Sequence, residues 1–189
     1  MRVIGGSAGG RKLSTPHDRA IRPTADRVKE ALFSILGSHC GDFHGLRVLD
    51  IFAGTGNLGI EALSRGAAEA VFVDSSREAV RIITNNLSLL GFGACGRVLQ
   101  KEALAALKAL EAAGERFDLV FLDPPYTRGL TEQVLGRLAV SSVIGDASLV
   151  VAESAARENL PQEFDHLCTF DRRVYGDTAL WFLRLKSKG

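Results

Sequence analysis

Cysteine is scarce in this 189-residue sequence, with three in all, and there are only two tyrosines, one tryptophan and one methionine. Cys40, Cys95 and Cys168 are odd in number, far apart and outside any CxxC pair. A disulfide framework is therefore excluded, and free thiols, buried or half-buried, are expected. His17, His39, His44 and His166 stand at no metal-ligand spacing with the cysteines, so no metal site is expected. No run approaches the roughly 18 uninterrupted apolar residues that a membrane span needs. Met1-Arg2-Val3-Ile4-Gly5-Gly6 lacks the apolar block of a signal peptide, which leads to the expectation of a cytoplasmic protein. Strong net charge is also missing, at +1, but its distribution is uneven. Residues 1–35 hold seven basic side chains against three acidic ones, while the rest of the chain holds sixteen against nineteen. A small basic arm on a mildly acidic body suits contact with a polyanion.

What is present is material for one domain with a short appendage. A hydrophobic fraction of 46% and a charged fraction of 24% are those of a globular chain with a real core. From Leu46 onward, short apolar runs rich in β-formers alternate with helical stretches. The runs are Arg47 to Phe52, Ala70 to Asp74, Arg97 to Gln100, Phe117 to Leu122 and Ser148 to Ala152. Between the first four lie Asn57 to Arg65, Ser76 to Leu90 and Glu102 to Ala113, with apolar residues three and four apart. Strand and helix in alternation predict βαβ units around a parallel sheet, and nearly all-apolar strands predict a sheet covered on both faces. Near the end, Leu167 to Val174, Gly176-Asp177 and Thr178 to Leu185 predict an antiparallel hairpin at one edge. Residues 1–45 form the appendage: a glycine-rich, flexible or turn-rich opening, then a helix over Ala25 to Leu36 capped by Thr24. Residues 46–189 form the main domain.

A strand running into glycines and then a helix marks the ligand site. In Val48-Leu49-Asp50-Ile51-Phe52-Ala53-Gly54-Thr55-Gly56-Asn57-Leu58-Gly59, Gly54, Gly56 and Gly59 let the backbone turn sharply and approach a ligand. Phe52, Ala53 and Asn57 belong to the same cradle. This spacing alone also serves nicotinamide dinucleotides. Asp74 closes the second strand, where a carboxylate can accept both hydroxyls of a ribose. Asp50 precedes the glycine turn, where another negative charge gains nothing against a pyrophosphate but suits a cationic, amino-acid-bearing ligand such as S-adenosylmethionine. A loop acid or capping acid is the plain alternative for each. Glu102, opening the helix after the third strand, can accept from an adenine amino group or stabilise the helix dipole.

The discriminating element is Asp123-Pro124-Pro125-Tyr126, directly after the fourth strand. Two prolines stiffen the turn and remove two N–H donors. The Asp123 carboxylate and the Pro124 carbonyl remain as acceptors for the two hydrogens of an aryl amine, drawing its lone pair out of conjugation. Tyr126 offers a face on which a flipped or single-stranded base stacks, worth roughly 1–3 kcal/mol. Direct in-line transfer to the amine then needs positioning and no covalent nucleophile. A Pro-Pro turn beside a core tyrosine is the bland alternative.

Val48 to Gly59 together with Asp123 to Tyr126 resembles the class I methyltransferases that act on exocyclic amino groups. Arg2-Val3-Ile4-Gly5-Gly6, Gly10-Arg11-Lys12-Leu13 and Arg22-Pro23-Thr24-x-Asp26-Arg27-Val28-Lys29-Glu30-x-Leu32-Phe33 narrow this. So do Gly59-x-Glu61-Ala62-Leu63-Ser64-Arg65-Gly66 and Asp123-Pro124-Pro125-Tyr126-x-x-Gly129-Leu130. With these blocks the chain is similar, over nearly its whole length, to the bacterial RsmD-type 16S ribosomal RNA guanine methyltransferases. The resemblance implies a Rossmann-like α/β fold with a seven-stranded, mostly parallel sheet and an antiparallel last strand. It implies methylation of the 2-amino group of one guanine by S-adenosylmethionine, in an assembled or assembling small subunit. It also implies RNA contacts by Arg11, Lys12, Arg22 and Arg27, with Thr24 near the cofactor or the RNA. Nothing demands more than a monomer. The alternatives that remain are a DNA or protein-glutamine amino-methyltransferase, a nicotinamide oxidoreductase that would leave Asp123 to Tyr126 without a role, and a non-catalytic RNA-binding assembly factor.

Overall fold

A computed structural model describes residues 1–15, 23–124 and 129–186. Its strands are β1 (Arg47–Ile51), β2 (Glu69–Asp74), β3 (Gly96–Gln100), β4 (Phe117–Leu122), β5 (Ile144–Ala155), β6 (Glu163–Phe164), β7 (Leu167–Tyr175) and β8 (Thr178–Leu185). The helices are α1 (Pro23–Cys40), α2 (Asn57–Ser64), α3 (Arg77–Leu90), α4 (Ala103–Ala112) and α5 (Leu130–Ala139). The strands form one sheet in the order β3-β2-β1-β4-β5-β8-β7-β6. β1 to β5 run parallel, and β8 returns antiparallel between β5 and β7. The chain leaves the β3 edge to lay β4 beside β1, so strand order reverses at β1 and β4. In a doubly wound sheet the ligand crevice opens at the carboxyl ends of the strands where this happens.

Alternating side chains build one core on each face. Val48, Phe72, Phe121 and Val151 point into a cluster closed by Leu32 and Leu36 of α1, Ile60 of α2 and Ile83 of α3. Leu49, Val71, Val120 and Val150 point the other way, under Leu107 of α4 and Leu135 of α5. Continuous apolar strands are thus explained by helices on both sides. The arm shares the first core, because Val3, Ala8 and Leu13 are buried in it. The glycine-rich opening is an ordered turn, with a 3₁₀ stretch over Gly6–Ala8 and an antiparallel bridge between Arg2 and Lys12.

Three expectations need correction. The sheet has eight strands rather than seven, because the two-residue β6 adds an outer pair to β7. So short a strand carries no periodicity. Thr24 does not cap α1: the helix already includes Pro23, whose missing N–H is harmless at a first helical turn, and it continues to Cys40. Finally, α5 had no counterpart among the expected helices, although Leu130, Val134, Leu135 and Leu138 form a helical stripe. The expected terminal hairpin is present as β7 and β8, turning at Gly176 with φ of 59°.

Candidate active site

The loop after β1 is held by amides rather than left loose. Phe52 takes a positive φ of 64°, a conformation that a bulky residue adopts only under constraint. The Ala53 N–H donates to the Val73 carbonyl at 3.0 Å, and the Gly56 N–H to the Ala53 carbonyl at 2.7 Å. Gly56, with φ of 77°, leads into α2. Gly59 is glycine for want of space: a Cβ there would lie 2.4 Å from the Phe72 ring and 3.2 Å from Asp50 Oδ2. The Gly59 N–H donates to Asp50 Oδ2 at 2.9 Å, fixing that carboxylate against the start of α2. Asp74 accepts from the Gly54 N–H through Oδ2 and from the Ser76 N–H through Oδ1, both at 2.9 Å.

The register gathers acids on one face. Asp50, Asp74 and Asp123 each follow, two residues on, a side chain of the first core: Val48, Phe72 and Phe121. They stand at the carboxyl ends of β1, β2 and β4, around the strand-order reversal. Asp50 is only 2% exposed. Burial pushes its carboxyl up to about 8; the Gly59 amide works against this, and the Asp123 and Asp74 charges add to it. A pyrophosphate would meet a crowded negative site here. An ammonium or sulfonium would meet an acid that gains an ion pair by losing its proton. Asp74 retains lone pairs on both oxygens for hydroxyl donors. The donor set therefore fits S-adenosylmethionine.

Asp123 is exposed just past β4, its N–H donating to the Ile51 carbonyl at 3.4 Å, and Pro124 beside it is buried. Pro125 and Tyr126 lie outside the described residues. Glu102 is exposed at the N-cap of α4, and its side chain makes no capping hydrogen bond, which sets the capping alternative aside. Asn57 is half-buried and accepts the Lys29 Nζ at 2.7 Å through Oδ1. Of the basic residues, Arg11, Lys12 and Arg27 are exposed. Arg11 reaches α3, where its Nη2 donates to the Leu89 carbonyl at 2.5 Å. Arg27 lines a surface pocket of about 490 Å³ together with Arg2, Gly10 and Glu30. The backbone of Thr24 lies in the first turn of α1, and Arg22 falls outside the described residues.

Two buried polar devices escaped the sequence. Glu61, fully buried, accepts the Ile4 and Gly5 amides at 2.7 and 2.8 Å, and pairs with Lys29 at 3.1 Å and Arg65 at 2.9 Å. Lys29 also donates to the Arg2 carbonyl at 2.6 Å. Burial pushes its ammonium down, and Glu61 pulls it back up. Asn86 accepts the Ser14 amide at 2.7 Å and donates to the Ser14 and Thr55 carbonyls at 3.1 and 3.0 Å. Both devices tie the arm to the glycine loop or to the helix that follows it. Glu61 and Lys29 stand within the quoted motif blocks, but their pairing across 32 residues leaves no local signal.

A family model described as conserved hypothetical protein 95 matches residues 1–184. The ribosomal RNA small subunit methyltransferase D of Escherichia coli K12 is 35% identical over 189 residues, covering 100% of this chain and 92% of its own. The protein of the same name from Haemophilus influenzae is 36% identical over 155 residues, 82% of this chain and 78% of its own. A solved structure of a hypothetical protein from Thermus thermophilus superposes with a TM-score of 0.83 at 34% identity, covering 98% of this chain and 99% of that one. The chain belongs to the conserved hypothetical protein 95 family, alongside the ribosomal RNA small subunit methyltransferase D proteins.

Proposed function

We propose that this protein transfers a methyl group from S-adenosylmethionine to the exocyclic 2-amino group of a guanine in 16S ribosomal RNA, acting as a cytoplasmic monomer on the small subunit or its assembly intermediate. The observation that carries the reading is the row of acids at the β1–β4 crevice, with Asp50 buried among like charges and Asp123 at the rim. The names of the relatives support ribosomal RNA of the small subunit as the substrate class.

The cofactor supplies an electrophilic methyl group on a cationic sulfur. Asp50 and the loop Phe52-Ala53-Gly54 hold its amino-acid end, with Gly56, Asn57 and Gly59 shaping the cradle. Asp74 accepts the ribose hydroxyls, and Glu102, at the end of β3, faces the adenine. Asp123 and the Pro124 carbonyl accept the two amine hydrogens, which leaves the nitrogen lone pair directed at the methyl carbon. Asp123 then takes the proton that the alkylated amine sheds. Tyr126 stacks the extracted base. Residues 1–45 serve as the RNA-contact unit, in which Arg11, Lys12, Arg22 and Arg27 meet phosphates and Thr24 lies near the cofactor or the RNA.

The test is transfer of a labelled methyl group to small subunits lacking the modification, with naked RNA and duplex DNA alongside. The expected outcome is label at a single guanine of the subunit RNA. Asp123→Ala should lower this transfer by at least about 100-fold while binding cofactor normally. Label in DNA alone, or full turnover by the variant, refutes the reading.

A further inference from the structure

One more acid at the carboxyl end of the sheet, Glu153, has no part in the scheme above. The β4–β5 register pairs Leu122 with Ala152, so the next position on each chain brings Asp123 beside Glu153. Phe121 of β4 and Val151 of β5 both enter the first core, and alternation puts Asp123 and Glu153 on that same face. On its other side Glu153 pairs with Leu180 of β8, which is buried and apolar. Glu153 is half-buried, and no N–H among the described residues is bonded to its carboxyl. The next residue shows what a structural polar group looks like here: Ser154 Oγ accepts the Trp181 Nε1–H at 3.0 Å.

Packing gives no reason to lodge a carboxyl at this point, since burying one without donors is costly. Among the described residues the charged group that acts on it is Asp123, and Asp50 stands one strand further along the same face. On this face α1 contributes Val28, Leu32, Phe33 and Leu36, and the buried charges that the helices bring, Lys29 of α1 and Glu61 of α2, are paired with each other at 3.1 Å. Burial and then Asp123 push the Glu153 carboxyl up, so the pair keeps one proton where two separate acids would keep none.

We propose that Glu153 is the positioning partner of Asp123: the two carboxyls share one proton across the β4–β5 register and present one anionic edge to the amine that receives the methyl group. The inference rests on the amino-methyl transfer described above. In the step itself, the amine lone pair forms the new N–C bond as the C–S bond breaks and its electron pair returns to sulfur. The cationic amine passes one proton to Asp123. The pair then holds two protons and releases one to water, restoring the starting state. While Glu153 keeps its proton, Asp123 is held at a fixed angle. Once Glu153 ionises, the two anions repel and the acceptor geometry is lost.

Rates of methyl transfer to unmodified small subunits, at saturating cofactor and subunit across neutral to alkaline pH, test this in the full chain. Saturating cofactor removes the titration of Asp50 from the measurement. The wild-type rate should fall on the alkaline side, and Glu153→Gln, which keeps a hydrogen-bond donor but cannot ionise, should retain the wild-type kcat at neutral pH and lose that fall. Glu153→Ala should lower kcat by roughly 10–100-fold with cofactor affinity unchanged. Cofactor binding by each variant reports that the fold is intact. An alkaline limb shared by wild type and Glu153→Gln, equal losses in Gln and Ala variants, or a wild-type rate in the Ala variant would overturn the proposal. A wild-type protein that binds cofactor and labels no subunit RNA refutes the transfer reading itself, which is a different result from any variant outcome.

Discussion

Asp50 shows how one residue can couple folding, ligand and pH. Its carboxyl is raised to about 8 from an ordinary 3.8, chiefly by burial. Between those two values the unfolded chain has lost this proton and the folded chain keeps it. Asp50 therefore contributes stability at acid pH that declines as pH rises through this window, and the decline ends above the folded value. A cationic ligand reverses the balance, because the carboxylate it pairs with is then the favoured form. Affinity for S-adenosylmethionine should rise with pH up to about 8, by as much as about tenfold per unit, with a proton released on binding. Asp50→Asn should flatten this slope, bind cofactor weakly, and melt above the wild type near pH 8 when no ligand is present. Calorimetric titration in buffers of different ionisation enthalpy checks the proton release. Equal pH slopes in wild type and variant would detach Asp50 from the cofactor.

The arm, α1 and α2 meet at Glu61, and none of them holds that junction alone. Its carboxylate is shared by two arm amides, Lys29 of α1 and Arg65 beyond α2. Glu61→Ala leaves a buried ammonium without its counter-charge and two amides without an acceptor, so a loss of about 3–5 kcal/mol is expected. In a chain of this length that amounts to a drop in Tm of ~10 °C, and protease should gain access to residues 1–15. A variant with a wild-type melting temperature would show that the junction carries no stability. Elements were legible from sequence wherever a local pattern specified them. The bounds of β4 were read without error, and those of β1, β2, α2 and α3 to within a residue. Asp74 and Asp123 could be named because each closes an apolar run, and Asp50 because it stands just ahead of the glycine turn. Glu153 closes one as well, after Ser148 to Ala152, but its value depends on the β4–β5 register, which no single run encodes. β6 was too short to show a period, and Lys29, Glu61 and Asn86 are partners across tens of residues.

At the scale of the whole molecule, a near-neutral chain must both attract a polyanion and keep a crowd of carboxylates at its reactive crevice. The structure separates the two by place. The acids are turned inward or sit at the rim of the sheet, while Arg11, Lys12 and Arg27 stay exposed on the arm hairpin and α1. The arm hairpin is fastened to the glycine loop through Asn86 and to the start of the α2 helix through the Glu61–Lys29 junction. RNA held on these side chains would therefore sit at a set distance from the transfer site, where a flexible basic tail would only raise local concentration. Phosphate contacts release counterions, and each contributes about 0.7–0.9 to the slope of log affinity against log salt. Replacing Arg11, Lys12 and Arg27 together with Ala should weaken subunit binding and reduce that slope by about 2. Melting should change little, since the Arg11 contact with Leu89 is exposed. The gap between wild type and variant should narrow as salt rises, because screening removes from the wild type what the substitutions remove from the variant. Parallel slopes would mean that the RNA meets the protein elsewhere, and the arm would then be a device for bracing the glycine loop alone.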